Sequence, residues 1–102
     1  GTTSNAFIID KKGSIRTYPK SKHILGGVTR DVIIQIAKKQ NIKIIEKAFT
    51  LNDIKWCKEA FLTSTTVKIL PVIKVNDIKI NMMKIGEITE ILTYNINKKI
   101  NG

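Results

Sequence analysis

The sequence predicts an α+β fold, mostly antiparallel strands with interspersed helices, in a single domain over residues 1–102. Three observations predict it. The chain opens with two short strand-like runs, the first apolar, separated by a turn containing glycine, the pattern of a β-hairpin. Two later stretches, near 29–39 and 86–98, repeat their apolar residues with helical spacing. Further hairpin turns recur between these helices, which favours antiparallel pairing over a wound parallel sheet. A chain of this size buries roughly 60–70% of the surface it exposes when unfolded, enough for a core.

The elements follow in order. Ala6 to Asp10 reads as a strand, Lys11-Lys12-Gly13 as a turn with glycine available for positive φ, and Ser14 to Tyr18 as the returning strand, ended by Pro19. Thr29 to Lys39 is the clearest helix, with Val32, Ile33, Ile36 and Ala37 on one face. Val28 or Thr29 starts it. Asp31 in its first turn and Lys38 and Lys39 in its last match the helix dipole. Ile42 to Ala48 reads as a strand. Thr50-Leu51-Asn52-Asp53 resembles a capping box that opens a short helix over 51–56. Ala60 to Thr63 and Val67 to Val75 read as strands, the second at an edge or bulged because of Pro71. Asn76-Asp77 turns the chain into a strand at Ile78-Lys79-Ile80. Ile85, Ile88, Ile91, Leu92 and Ile96 form the stripe of a terminal helix over 86–98. No repeat, linker or low-complexity block divides the chain.

Composition narrows the function classes. Net charge is +10, and sixteen of eighteen cationic residues are lysine. They are spread from Lys11 to Lys99 in blocks no longer than two, and the six aromatics are not interleaved with them. That disfavours a stacking surface for single-stranded nucleic acid. No apolar run approaches the ~18 residues of a membrane helix, and no signal peptide is visible at the start. The single cysteine, Cys57, fits a reducing compartment, so a cytoplasmic location is expected, and its surroundings favour a structural role. His23 has no cysteine or carboxylate at ligand spacing, so no metal site is expected. Trp56 and the paired Met82 and Met83 read as core. Arg30 reads as an ion-pair partner within its own early helix, ahead of a substrate contact.

Two stretches carry candidate chemistry. In Leu25-Gly26-Gly27-Val28-Thr29-Arg30 the glycines let a ligand approach the backbone closely. The amides of Val28 and Thr29 are then unpaired first-turn donors at the positive end of the helix dipole. The Thr29 hydroxyl adds a donor, and Ser64 and Thr65 of Leu62-Thr63-Ser64-Thr65-Thr66 could add two more. Each stretch also has an ordinary reading: a glycine turn, and a solvated loop whose hydroxyls bond their own backbone. The residues alone leave both readings open.

The order Gly1-Thr2-Thr3-Ser4-Asn5-Ala6-Phe7, Ile24-Leu25-Gly26-Gly27-Val28-Thr29-Arg30, Ala48-Phe49-Thr50, Glu59 to Thr65 and Pro71-Val72 resembles the class IV (fold type IV) aminotransferases. That family includes D-amino acid transaminase, branched-chain aminotransferase and aminodeoxychorismate lyase. The hydroxyl-rich Thr2-Thr3-Ser4 and Ser64-Thr65-Thr66 look closer to the D-amino acid branch. The resemblance implies the C-terminal half of that family's large domain, with pyridoxal 5'-phosphate as cofactor. It implies transfer of an amino group between an amino acid, branched-chain or D, and a 2-oxo acid such as 2-oxoglutarate, in a homodimer. Leu25 would pack on the pyridine ring. Val28, Thr29, Ser64 and Thr65 would hold the phosphate, and Thr3, Ser4 and Asn5 would line the pocket. Thr65 and Thr66 would approach the substrate carboxylate. The family's Schiff-base lysine is expected upstream of Gly1, with none of the sixteen lysines at its position, so the 102-residue chain alone is expected to be inactive. A related lyase and a small basic binding module are the alternatives. Asn81 to Thr89 departs from the family pattern: Gly86 and Thr89 persist, but the glycine-rich turn before them is lost.

Overall fold

The computed structural model describes residues 5–19, 28–63 and 68–101; for Val28, Thr29, Ile100 and Asn101 it describes the backbone only. Strands β1 (Asn5–Ile9) and β2 (Ile15–Thr17) form the expected hairpin. Its turn is closed by Asp10, whose carboxyl accepts the backbone N–H of Lys12 and of Ser14, both at 2.9 Å, with Gly13 at φ +85°. Helix α1 (Val28–Lys39) leads to β3 (Ile44–Glu46), then come α2 (Leu51–Trp56), β4 (Glu59–Thr63) and β5 (Ile69–Pro71). A small hairpin of β6 (Lys74–Val75) and β7 (Ile78–Lys79) precedes α3 (Glu87–Asn101).

Five strands make one sheet in the order β3-β2-β1-β4-β5. The pairing is antiparallel except for β2 with β3, which are parallel because α1 carries the chain back along the sheet. Period-two alternation sorts the side chains. Phe7, Ile9, Ile15, Phe61 and Ile69 face α1 and α3, whose Ile33, Ile36, Ala37, Leu92 and Ile96 complete the main core. The cross-strand partners Phe7 and Phe61 stack there with centroids 4.9 Å apart. Ile8 and Ala60 face the other way, toward Phe49, Ile80 and the half-buried Ile54 of α2.

Local signals explain most boundaries. Helix α1 ends in a Schellman closure: Asn41 takes φ +59°, its N–H donates to Lys38, and the Ile42 N–H donates to Ala37 at 2.8 Å. The capping box at α2 forms as read, with the Asp53 N–H donating to Thr50 Oγ1 and the Thr50 N–H to Asp53. That last bond, with Arg16 alongside, holds the Asp53 carboxyl below its ordinary 3.8. Arg16 joins the sheet to α2, with Nη1 3.4 Å from Asp53 and Nη2 donating to the Ala48 carbonyl at 3.0 Å.

Four readings are corrected. The run 67–75 is not one strand. Pro71 is tolerated as the last residue of edge strand β5, the Val72 N–H donates once more to Ala60 of β4 at 2.8 Å, and the chain then leaves for the β6–β7 hairpin. The strand expected over 42–48 shrinks to Ile44–Glu46, because Ile42 is used in closing α1. Trp56 is 55% exposed, its ring beneath the Lys11 ammonium at 4.6 Å. Met82 and Met83 are exposed, and so is Ile85; the buried position at the start of α3 belongs to Thr89 instead.

The turn before Gly86 persists without glycine. Asn81, Met82 and Met83 all take left-handed backbone, φ 51°, 52° and 62°. It is held by the Met83 N–H donating to Ile80, the Lys84 N–H donating to Asn81, and the Asn81 amide donating to Lys84. Left-handed backbone costs a residue with a Cβ roughly 1–2 kcal/mol. Met82→Gly or Met83→Gly is therefore expected to raise stability by about 1 kcal/mol, after the extra chain entropy of glycine is subtracted. Thermal melts check this, and an unchanged or lower midpoint would contradict the left-handed turn.

Candidate functional site

The sheet brings the flanks of the candidate stretches to one end. At that end β1 begins, β2, β3 and β4 finish, and β5 begins. The registers fix this: Asn5 lies opposite Thr63, Thr17 opposite Phe7 and alongside Glu46, and Thr63 opposite Ile69. The first turn of α1 sits at the same end. Arg30 in that turn forms an ion pair with Glu46, the last residue of β3, and its Nη2 donates to the carbonyl of Tyr18, just past β2, at 3.5 Å. The start of β1, the end of β4 and the N-terminus of a 12-residue helix therefore share one edge of the molecule.

The end is built to be rigid. Thr17 and Thr63 are buried, and both hydroxyls donate to β1, to the Ala6 carbonyl at 3.0 Å and the Asn5 carbonyl at 3.5 Å. The Tyr18 hydroxyl donates to the Phe49 carbonyl at 2.7 Å, and the two rings pack at 4.8 Å. Arg30 is 3% exposed, and its Nε has no partner among the described residues. Arg30 makes the ion pair expected of it, but with β3 and not within its own helix.

Of the residues read as a site, Asn5 is the half-buried first residue of β1, and Val28 and Thr29 are the first two residues of α1. Thr3, Ser4, Leu25, Ser64, Thr65 and Thr66 lie outside the described residues, as does His23. Thr63, Tyr18, Phe49 and Glu46 were not read as site residues. Thr63 had a signal, since it adjoins Ser64 in the hydroxyl-rich stretch. Glu46 had none, because nothing local ties it to Arg30 sixteen residues away.

This end suits an anion. The first amides of α1 have no acceptor inside the helix, and the dipole puts positive potential before them. The nearby carboxylate of Glu46 is engaged by Arg30. A phosphate group fits that donor set. Among the described residues no group of three or more His, Cys, Asp or Glu could hold a metal ion, and no helix is long and apolar enough to cross a membrane. Cys57 is half-buried, and burial pushes its thiol above the ordinary range, which suits packing better than nucleophilic work.

The model of the family described as amino-transferase class IV matches residues 1–75. Over 100 residues the chain is 41% identical to a D-alanine aminotransferase of Staphylococcus aureus, covering 98% of this chain and 35% of that protein. Over 90 residues it is 41% identical to a protein of Methanocaldococcus jannaschii provisionally named as a branched-chain-amino-acid aminotransferase, covering 88% and 31%. The crystal structure of a branched-chain aminotransferase from Thermoproteus uzoniensis with norvaline superposes with a TM-score of 0.82 at 29% identity, covering 93% of this chain and 31% of that one. The chain thus spans about a third of the length of the curated relatives it matches.

Proposed function

The chain belongs to the class IV amino-transferases, and on that premise we propose that it supplies the phosphate-holding part of a pyridoxal 5'-phosphate site. The enzyme would transfer an amino group between an amino acid and a 2-oxo acid such as 2-oxoglutarate. The observation that carries this reading is the meeting of the α1 N-terminus with the start of β1 and the end of β4 at one end of the sheet.

In this reading the amides of Val28 and Thr29 hold the phosphate, with the Thr29 hydroxyl, Ser64 and Thr65 as further donors. Leu25 lies against the ring, Thr3, Ser4 and Asn5 line the pocket, and Thr65 and Thr66 face the substrate carboxylate. The bound cofactor supplies the electron sink for the chemistry, while the protein orients it and keeps water out. The relatives are named for branched-chain and for D-amino acid substrates alike, and the hydroxyl-rich stretches look closer to the D-amino acid branch. A cytoplasmic homodimer is the assembly we propose; the lone cysteine supports the compartment and the resemblance supports the dimer.

A lysine that attacks a carbonyl is activated by desolvation or by a neighbouring cation. All fourteen lysines that the structure describes (the sixteen less Lys20 and Lys22) are exposed. We place the reactive amine on none of them. The test is binding of pyridoxal phosphate and of pyridoxal to the 102-residue chain, followed by borohydride. Pyridoxal, lacking the phosphate, is expected to bind at least about tenfold more weakly. No described lysine is expected to carry a stoichiometric adduct. Equal affinities would sink the phosphate assignment, and one fully modified lysine would sink the placement of the amine.

A further inference from the structure

Arg30 is a cation at the edge of the proposed anion site, yet the structure commits its guanidinium elsewhere. Its side chain is 4% exposed, and Nη2 serves both the Glu46 carboxylate and the Tyr18 carbonyl. Those partners are the last residue of β3 and the residue just past β2, two neighbouring parallel strands. Tyr18 is itself fixed by its hydroxyl bond to Phe49. Arg30 therefore ties the first turn of α1 to two strand ends at once. The rest of α1 is held farther along by Ile33, Ile36 and Ala37 in the core. Those contacts secure the helix but leave its first turn free to fray.

We propose that Arg30 is a positioning residue for the phosphate: the Arg30–Glu46 pair fixes the first-turn amides of α1 in the direction the anion requires, and Arg30 does not itself contact the anion. The inference rests on the phosphate reading above and names the device that makes that site precise. Its charge is balanced by Glu46, so its contribution is geometric. A hydrogen bond weakens steeply once its angle falls away from linear, so a small tilt of the first turn costs affinity.

The experiment compares pyridoxal phosphate with pyridoxal as ligands of the 102-residue chain and three variants. Arg30→Lys keeps the charge but replaces the planar, fixed Nη2 group that serves both acceptors with a compact, freely rotating ammonium. Glu46→Ala removes the acceptor from a side chain that is half exposed. Glu46→Gln restores an acceptor without the charge. Arg30→Lys and Glu46→Ala are each expected to cut the preference for pyridoxal phosphate by about tenfold, the loss of one good bond to a charged group. Pyridoxal affinity should stay unchanged, and Glu46→Gln should keep most of the preference. A preference lost in Arg30→Lys but intact in Glu46→Ala overturns the proposal, since Arg30 would then touch the anion directly. Parallel losses for both ligands also overturn it, since the pair would then be merely structural. If Arg30→Lys does not fold, the two Glu46 variants decide alone. A parent chain with no preference rejects the phosphate reading itself, which is a separate outcome.

Discussion

Glu59→Ala is expected to lower stability by about 3 kcal/mol, and Gly86→Ala by a comparable amount. Glu59 lies on β4, 7% exposed, and its carboxyl accepts the N–H of Ile88 at 3.1 Å and of Thr89 at 2.7 Å. Those are first-turn donors of α3 that no residue of the helix can satisfy. Removing the carboxyl strands two donors in or near the core, at roughly 1–3 kcal/mol each. Gly86 immediately precedes α3, and its carbonyl accepts the Glu90 N–H as the helix begins. A Cβ built on Gly86 would overlap Cγ and Cδ of Glu59. The Glu59 side chain can make room only by giving up its two bonds to the helix. The double variant should cost less than the sum of the two, because each change removes the same contact. Denaturant titration of the three variants checks both points. A Gly86→Ala chain as stable as the parent would show that Glu59 does not lie against the start of α3.

Replacing Ser64 and Thr65 together with alanine is expected to weaken binding of pyridoxal phosphate by about 3 kcal/mol, roughly a hundredfold. Both follow Thr63, which the register with Asn5 places at the same sheet end as the N-terminus of α1. A hydroxyl donating to a phosphate makes a charge-assisted bond, so two of them outweigh what solvent gives back. Affinity for pyridoxal should barely move, which separates a lost phosphate contact from a loosened fold. Unchanged affinity for the phosphorylated cofactor would remove Ser64 and Thr65 from the site.

Much of the fold was legible because its signals are local. The glycine turn between two short runs marked the first hairpin, helical spacing marked α1 and α3, and Thr50 with Asp53 announced α2. The misreadings share a cause. Apolar residues at Trp56, Met82, Met83 and Ile85 carry the chemistry of a core but land on turns and helix ends that face solvent. The left-handed turn at 81–83 has no glycine to betray it. The candidate site was legible as two unconnected stretches, and the resemblance joined them; six of the residues read as site residues lie outside the described structure.

By itself the sequence determined most of the elements, the class and the donors available for an anion. These depend on neighbours within about one helical turn, and such relations are written along the chain. The tertiary structure alone decided which donors share a place. Arg30 finds Glu46 sixteen residues on, and Glu59 finds Thr89 thirty residues on. Such pairs depend on where whole elements pack, and packing is set by the summed burial of many side chains, which no single stretch of sequence encodes.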